Sequence, residues 1–294
     1  MTEYNFEAKK SLGQNFLHAP HIIGAMIHAA NVAEAVPRGM SVLEVGPGKG
    51  VLTEGLLAAG AHVVAVEKDD RAIPFLQEKF AKEIAEGKLE LFHGDILDFG
   101  REGGDEAADF SELKKKLAPG KYIVVANIPY YITGELLRMF LESDAQPARM
   151  VLMVQKEVAD RIVTRGDNGR LDGKESILSI SIKAFGEPKY IVTVPARNFR
   201  PAPNVDSAVI LIDKITNSFF SQNISKLAFF RIVKAGFAHK RKVLIGNLSE
   251  IIPREILDKV WITCGLDQKV RAEEIRVETW GKMLLELTAL GLNL

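Results

Sequence analysis

The stretch between residues 41 and 67 constrains the fold most. It combines a strand, a glycine-rich turn, a helix and a second strand. Apolar runs predict strands at Ser41–Val45 and His62–Val66, with the turn at Gly46–Gly50 and an acidic residue, Glu67, after the second strand. Glycines are needed where backbone approaches a ligand closely or adopts a positive φ. A carboxylate at the end of the second strand can accept hydrogen bonds from ribose hydroxyls. The unit therefore predicts an α/β sheet that binds a nucleoside cofactor.

The spacing of the turn bears on which cofactor is bound. The glycines follow the pattern G-x-G-x-G, whereas a dinucleotide site prefers G-x-G-x-x-G, which places a pyrophosphate on the helix N-terminus. Glu44 precedes the turn, and its carboxylate would repel a pyrophosphate. The same carboxylate suits the cationic amino-acid part of S-adenosylmethionine. This favours a methyl donor over the nicotinamide cofactor of an oxidoreductase.

A second motif, Asn127-Ile128-Pro129-Tyr130, directly follows the predicted buried strand Tyr122–Ala126. The Asn127 side-chain oxygen is an acceptor. Pro129 biases Ile128 toward an extended conformation, in which the Ile128 carbonyl can serve as a second acceptor. Tyr130 offers a flat face on which a base can stack. The motif predicts a site for an aromatic amine, and the alternative is an ordinary Asn-X-Pro turn.

Four other positions are candidate ligand contacts, each with a structural alternative. Gln14 and Asn15 precede a predicted helix and either meet a ligand or cap that helix, and capping is the preferred interpretation. Asp95 follows the third predicted strand and accepts from an adenine amine or forms a turn. Phe199, in a proline-rich loop, either sandwiches a base against Tyr130 or packs in the core.

Composition excludes several classes of protein. The chain has 294 residues and a formal net charge of zero, so any nucleic-acid partner requires a local basic patch. The single Cys264 leaves no internal disulfide or cysteine-based metal cluster and is typical of a reducing compartment. The polar start, Met1–Lys10, is unlike a signal peptide, and no apolar run is long enough to cross a bilayer. We expect a cytoplasmic monomer without a metal site or a membrane partner.

A basic region lies near the C-terminus, where the chain is predicted to be helical. No Asp or Glu occurs from Lys214 to Ser249. Such clustering of one sign is the electrostatic footprint expected of an RNA-binding face. The alternative is a solvated helix face whose charges pair with acids such as Glu273 and Glu274. The candidate RNA contacts are Arg231, Lys234, Lys240, Arg241 and Lys242.

Together these motifs resemble the ribosomal RNA adenine dimethyltransferases over nearly the whole chain. The resemblance implies a seven-stranded, Rossmann-like, S-adenosylmethionine-dependent methyltransferase domain at 1–213 and a small all-helical, RNA-binding domain at 214–294. It rests on six segments in the family's order: Leu12–Leu17, Glu44–Gly48, Gly94–Ile96, Asn127–Tyr130, Phe199–Val209 and Arg271–Glu273. Two stretches depart from the family pattern, the long glycine-rich Gly100–Ala108 and the atypical Arg170–Leu178.

The resemblance also implies roles for individual residues. Asn15 and Leu17 would close over the cofactor, and Gly46 would let its methionine part lie against the backbone. Glu67 would hold the ribose and Asp95 the adenine amine, while Asn127 would sit between donor methyl and acceptor amine. The implied substrate is a pair of adjacent adenosines in the 3′-terminal hairpin of small-subunit rRNA, in the immature small ribosomal subunit, each dimethylated on its exocyclic nitrogen.

Three other functions are compatible with parts of the sequence. A large-subunit rRNA adenine methyltransferase that confers antibiotic resistance would share the core motifs, but the Phe199–Val209 loop and the C-terminal helices argue against it. A nicotinamide-dependent oxidoreductase would share only the first strand–helix–strand unit. A ribosome-assembly factor that only binds RNA would not explain the cofactor motifs.

Overall fold

A seven-stranded sheet organises the N-terminal part of the chain. The computed structural model describes residues 7–9, 12–100, 113, 115–164, 166, 173–220, 223–292 and 294. The strands of the sheet lie in the order β4-β3-β2-β5-β6-β9-β7, and a separate two-stranded sheet pairs β1 with β8. The strands are β1 (Phe16–Leu17), β2 (Ser41–Val45), β3 (His62–Glu67), β4 (Leu89–His93), β5 (Tyr122–Asn127), β6 (Arg149–Gln155), β7 (Glu187–Val194), β8 (Phe199–Arg200) and β9 (Ser207–Asp213).

Strands β2 to β6 are mutually parallel, and β9 runs antiparallel to both β6 and β7. Side chains at successive positions of β5 are at most 1% exposed from Tyr122 to Ala126. Because successive side chains point to opposite faces, both faces of the sheet are covered, as parallel sheets require. This explains why β5 is a continuous apolar run and not an alternating one.

The chain winds outward from β2 through β3 to β4 and then returns to β5 on the other side of β2. The point where the strand order reverses therefore lies between β2 and β5, and ligands bind at the carboxyl ends of the strands there. Val45 is paired with Ala126 in this register. The residues that follow, Gly46 and Asn127, are consequently neighbours, although they are far apart in the sequence.

Helices connect the strands and form the C-terminal part of the described chain. No helix among the described residues is long and apolar enough to cross a membrane. The α-helices are α1 (Pro20–Ala30), α2 (Val32–Ala35), α3 (Val51–Ala58), α4 (Ala72–Lys79), α5 (Ala81–Ala85), α6 (Thr133–Glu142), α7 (Lys156–Val163), α8 (Ile177–Lys183), α9 (Lys226–Gly236), α10 (Leu244–Leu248), α11 (Arg254–Cys264) and α12 (Val277–Ala289).

The strands predicted at Ser41–Val45, His62–Val66 and Tyr122–Ala126 appear as β2, β3 and β5, within one residue of their predicted bounds. The helical stretch after β3 is two helices, because Phe80 leaves helical geometry at φ −112° and ψ 26°. Strand β7 pairs antiparallel with β9, and β8, which lies between them in the chain, pairs with β1. A two-residue strand has no periodicity of its own, so β1 and β8 were not predicted. Most of the Gly100–Ala108 stretch lies outside the described residues.

The chain forms two compact units, 1–159 with 187–215, and 160–186 with 216–294. The predicted boundary at 213/214 falls close to the second transition, and the segment 160–186 clusters with 216–294. The cause is packing, because Ile180 and Ala184 of α8 join the helical core around Phe229 and Trp280. The sequence of α8 shows an apolar face but not which core that face joins.

The core of the second unit depends on a close approach between α9 and α12. A Cβ built at Gly236, at the end of α9, would lie 2.4 Å from the Trp280 ring, closer than packed atoms come. A Cβ at Gly246 in α10 would meet only a Val243 methyl at 3.6 Å, which is ordinary contact. Packing therefore requires a glycine at position 236 but not at position 246.

We expect Gly236→Ala to lower the free energy of unfolding of this unit by roughly 1–3 kcal/mol, the usual cost of overpacking a core. Gly246→Ala should be neutral or stabilising by up to about 1 kcal/mol, because alanine favours the helix. Both tryptophans of the chain, Trp261 and Trp280, belong to this unit, so denaturant titration followed by tryptophan fluorescence isolates its unfolding. Equal stabilities of the two variants would contradict the packing argument.

Candidate active site

The glycine-rich turn after β2 forms one wall of a cleft at the carboxyl edge of the sheet. Gly46 and Gly48 adopt positive φ values of 69° and 55°, which side chains strongly disfavour. Gly46 lines the cleft, and a Cβ placed on it would meet no protein atom within 4 Å. The missing side chain thus leaves open space in the cleft, where a ligand can lie against the backbone.

Glu67 ends β3 and lines the same cleft. Its side chain is held by two backbone donors, since the Gly48 N–H donates to Oε2 at 2.9 Å and the Asp69 N–H donates to Oε1 at 2.7 Å. Burial is the largest effect on Glu67 and raises the pKa of its carboxyl, although both hydrogen bonds oppose it. A carboxylate has about four lone-pair sites, so capacity remains for two ribose hydroxyls.

Glu44, in β2, is a carboxyl group buried beside the glycine turn. It is 1% exposed and lines the cleft. Burial raises its pKa to about 8, and the neighbouring Glu67 charge adds to the increase. Its Oε2 has no hydrogen-bond partner among the described residues. A buried carboxyl oxygen without a partner is costly, and a cationic ligand group would satisfy it.

Asp95 follows β4 and lines the cleft together with Ile96. Its Oδ1 accepts from the Leu97 N–H at 3.0 Å, and its Oδ2 accepts from Lys68 Nζ at 2.6 Å. The turn bond is the structural alternative considered for this residue, but it occupies only part of the carboxylate. Asp95 therefore combines a local turn with a position in the cleft, where Ile96 supplies an apolar surface.

The segment from Leu12 to Leu17 lines the cleft from the N-terminal side. The prediction that Gln14 or Asn15 caps the following helix is wrong: Ala19 is the N-cap of α1 and no side chain caps it. Gln14 instead donates to Asp69 at 2.8 Å, and Asn15 Nδ2 donates to the Gly13 carbonyl at 3.2 Å. The sequence does not reveal the contact between Gln14 and Asp69, because the two residues are far apart in the chain.

Asn127 ends β5 directly beside the glycine turn and lines the cleft. Its Nδ2 donates to the backbone carbonyl of Asn15 at 3.1 Å. Because the amide nitrogen is held in this way, the side-chain oxygen is left to accept from a ligand. The same bond joins the Leu12–Leu17 segment, which lines the cleft, to the end of β5.

Ile128 and Tyr130 complete this wall. The Ile128 side chain is 2% exposed and packs inward. No hydrogen bond within the described part of the chain ends on the Ile128 carbonyl. Tyr130 is half-buried, lines the cleft, and its hydroxyl lies 2.8 Å from Ser207 Oγ. Burial raises the pKa of the Tyr130 hydroxyl. The tyrosine ring is therefore anchored at its outer end.

Of the two interpretations of Phe199, stacking on a base or packing in the core, the structure shows packing and does not place the ring in the cleft. Phe199 is 2% exposed and belongs to the hydrophobic core of the first unit. It pairs with Leu17 in the β1–β8 sheet and is not among the residues that line the cleft. Its side chain supports the segment over the cleft from behind. The aromatic residue that sequence analysis missed is Tyr131, which is 62% exposed and lines the cleft.

The five candidate RNA contacts lie on the second unit and are all exposed. Lys242 pairs with Glu250 at 2.9 Å, just beyond the acid-free stretch. The proposed pairing with Glu273 and Glu274 does not occur among the described residues, because Glu273 pairs with Lys174 and Glu274 accepts from the Arg271 N–H. No acidic partner is present within the described ranges for Arg231, Lys234, Lys240 or Arg241.

Comparison with known proteins relates this site to a defined family. The family described as "Ribosomal RNA adenine dimethylase" matches residues 5–289. The chain belongs to this family. This match confirms the family and the enzyme class that the motifs predicted. Together with the sheet described above, it also confirms the seven-stranded Rossmann-like fold. Methyltransferases of this kind generally take their methyl group from S-adenosylmethionine.

Named relatives of the family cover nearly the whole chain. "Ribosomal RNA small subunit methyltransferase A" of Dehalococcoides mccartyi is 38% identical over 97% of this chain and 90% of its own length. The protein of the same name from Enterococcus faecalis is 35% identical over 96% of this chain and 91% of its own length.

Two solved structures support the fold. A dimethyladenosine transferase from Plasmodium falciparum has a TM-score of 0.70 at 23% identity, over 94% of this chain and 98% of its own. The 23S rRNA methyltransferase ErmE has a TM-score of 0.66 at 23% identity, over 93% of this chain and 100% of its own. The similarity to these two structures concerns the fold alone.

The raised pKa of Glu44 predicts a pH-dependent stability that Glu44→Gln removes. In the unfolded chain the carboxyl ionises near its ordinary pKa of 4.5, but in the native state it keeps its proton to about pH 8. Between these values the native state binds more protons, so the free energy of unfolding falls as pH rises, by up to about 1.4 kcal/mol per unit.

We therefore expect the unfolding free energy of the wild type, relative to Glu44→Gln, to fall between pH 5 and pH 8 in the absence of ligand. Calorimetric or circular-dichroism melts across this range measure the difference. Glu78→Gln, an exposed carboxylate on α4, controls for the loss of a surface charge. Parallel stability curves for wild type and Glu44→Gln would show that Glu44 is not protonated in the native state.

Proposed function

We propose that the protein transfers methyl groups from S-adenosylmethionine to the N6 amines of two adjacent adenosines in the 3′-terminal hairpin of small-subunit rRNA. The observation that carries this proposal is the position of Asn127, whose amide nitrogen is held by the Asn15 carbonyl while the residue lies beside Gly46 in one cleft. The substrate assignment is supported by the two relatives named as small-subunit methyltransferases. An rRNA substrate agrees with the predicted cytoplasmic location.

The residues of the cleft fit the proposed cofactor. Glu44 presents an unpartnered, buried carboxyl oxygen to which an ammonium group is the natural complement. Glu67 would accept from the ribose hydroxyls, Asp95 from the adenine amine, and Gly46 would leave room for the methionine part. Asn15 and Leu17 would cover the bound molecule from the N-terminal side. When bound, S-adenosylmethionine supplies a methyl group activated by a sulfonium.

Asn127 and Ile128 would act on the acceptor amine. The lone pair of an adenine amine is delocalised into the ring, so this nitrogen is a poor nucleophile. Hydrogen bonds from the NH₂ group to Asn127 Oδ1 and the Ile128 carbonyl favour the pyramidal, nucleophilic nitrogen and stabilise the positive charge that develops on it. Acceptors fixed in advance contribute electrostatic preorganisation. No general base is required at the start, because the proton becomes acidic only as the new bond forms.

Tyr130 would hold the target base once it has left its stack. Removing a base from its stack costs a few kcal/mol, and stacking on one aromatic ring offsets roughly 1–3 kcal/mol of this. The Tyr130 hydroxyl contacts Ser207 at 2.8 Å, so the ring is fixed before the base arrives. Phe199 is buried in the core, so the proposal gives this stacking role to Tyr130.

The second unit would supply contacts to the rRNA backbone. Arg231, Lys234, Lys240 and Arg241 are exposed and have no acidic partner among the residues that the structure describes. Cations of this kind neutralise phosphates and release counterions, a contribution that does not depend on sequence. Choice of the target adenosine would then rest on the cleft and on the shape of the hairpin.

The alternative function is methylation of large-subunit rRNA with resistance to antibiotics. The fold similarity to ErmE leaves this open, because at 23% identity it concerns the fold alone. Small-subunit methylation is favoured by the relatives at 35–38% identity, which carry that name. Mapping the methylated nucleotide after incubation with immature small subunits, and separately with large subunits, decides between the two.

We expect Asn127→Ala to lower methyl transfer by about 100-fold or more, the effect typical of removing one preorganised group in a catalytic site. The affinity for S-adenosylmethionine should change less than about tenfold, because Glu44, Glu67 and Asp95 remain. Transfer is measured with labelled donor and small subunits that lack the modification, and affinity by calorimetry. Asn204→Ala, an exposed asparagine of the same unit, serves as the control. Near wild-type transfer by Asn127→Ala would refute the role given to Asn127.

Arg241→Glu should weaken binding of the rRNA hairpin and reduce the slope of log affinity against log salt by about one, as expected for one lost phosphate contact. Lys259→Glu, an exposed residue on α11 with the same change of charge, is the matched control. The triple variant of Lys240, Arg241 and Lys242 to Glu should lower both quantities further. An unchanged salt slope in the triple variant would place the RNA-binding face elsewhere.

A further inference from the structure

A buried carboxylate adjoins the cofactor cleft without being part of its lining. Asp69 lies two residues after Glu67, its side chain is fully buried, and it is absent from the cleft wall. Arg71 contacts it through Nε at 2.9 Å and through Nη2 at 2.6 Å. The hydrogen bonds from Arg71 hold the pKa of this carboxyl well below its usual range. Asp69 is therefore a fixed negative charge and a strong acceptor.

A further partner of Asp69 comes from a distant part of the chain. Gln14 Nε2 donates to Asp69 Oδ2 at 2.8 Å. The orientation of this amide is set from its other side, because the Lys9 N–H donates to Gln14 Oε1 at 2.9 Å. Since the oxygen is occupied, the nitrogen must face the carboxylate. The bond is charge-assisted, which makes it stronger than one between neutral groups.

Gln14 belongs to the segment Leu12–Leu17, all of which lines the cleft. Three ties hold this segment. Gln14 is bonded to Asp69, the Asn15 carbonyl accepts from Asn127, and Phe16–Leu17 pairs with β8. Asp69 also donates its own N–H to Glu67 at 2.7 Å. One residue thus touches both the segment that covers the cleft and the carboxylate proposed to hold the ribose.

We propose that Asp69 is a positioning residue that latches the Leu12–Leu17 segment over the cofactor site through Gln14. With the latch formed, Asn15 and Leu17 cover the cofactor, and the Asn15 carbonyl lies where it orients Asn127. Without it, the segment keeps its ties to β8 and Asn127 but loses the one that joins it to the Glu67 turn. This inference rests on the proposed function, because it assumes that the cleft binds S-adenosylmethionine.

The first test uses Gln14→Ala and Gln14→Glu in the full chain. Gln14→Ala removes the donor, and Gln14→Glu replaces it with a carboxylate facing Asp69. Both should raise the dissociation constant of S-adenosylmethionine and accelerate its dissociation, Gln14→Ala by roughly tenfold to a hundredfold, as for a lost hydrogen bond to a charged group. Gln14→Glu should be at least as severe. Calorimetry and stopped-flow displacement measure the two quantities.

The matched control is Gln77→Ala, the same substitution at an exposed glutamine on α4. It should leave both quantities within about twofold of wild type, as surface substitutions usually do. Methyl transfer distinguishes latching from damage to the catalytic groups. In Gln14→Ala the KM for S-adenosylmethionine should rise, while kcat at saturating donor stays within about threefold of wild type, because bound cofactor itself holds the segment in place.

A second test of the latch uses variants of Asp69, so that the conclusion does not depend on Gln14→Ala alone. Asp69→Asn and the double variant with Gln14→Ala should weaken cofactor binding by similar factors, because both break the same bond and the effects do not add. A lower melting temperature with unchanged cofactor dissociation would show that the contact is only structural and would overturn the latch. Unchanged affinity and dissociation rate in Gln14→Ala would overturn it as well. Absence of S-adenosylmethionine binding by the wild type would instead overturn the proposed function.

Discussion

The parallel pairing of β2 with β5 is the constraint on which the site depends. Because Val45 is paired with Ala126, the glycine turn that follows one strand lies beside the Asn127 motif that follows the other. The strand order reverses at this point, so helices leave the two strands in opposite directions and a cleft opens between them. A slip of one residue in this register would turn Asn127 to the other face of the sheet.

Three carboxyl groups near this edge of the sheet, Glu44, Glu67 and Asp69, have three different surroundings. Glu44 is buried with an unpartnered oxygen, and its pKa is raised to about 8. Glu67 is held by two backbone N–H groups, and Asp69 is kept ionised by Arg71. Backbone donors hold Glu67, an ion pair holds Asp69, and Oε2 of Glu44 has no partner among the described residues. The difference follows from what surrounds each group and not from residue type.

The segment Leu12–Leu17, which lines the cleft, pairs with a residue that does not itself reach the cleft. The sequence left Phe199 either stacking on a base or packing in the core, and in the structure it is buried and paired with Leu17. The sequence around it, rich in proline and polar residues, is equally compatible with an exposed loop. Burial decided the matter, because the two-stranded pairing of β1 with β8 turns Phe199 inward and leaves Arg200 exposed. Tyr131 is an exposed aromatic residue that lines the cleft, and no sequence motif had singled it out.

Sequence alone determined the α/β class, the bounds of β2, β3 and β5, the glycine turn and the family, because these rest on local periodicity and on motifs that are continuous in the chain. It also identified Glu67, Asp95 and Asn127 as residues at strand ends, and strand ends of a parallel sheet meet at one edge. Only the tertiary structure decided the partners of Gln14, the burial of Phe199 and the membership of 160–186 in the helical unit. Each of these depends on contacts between residues distant in the chain, and no local pattern encodes which distant surface an apolar face or an amide will meet.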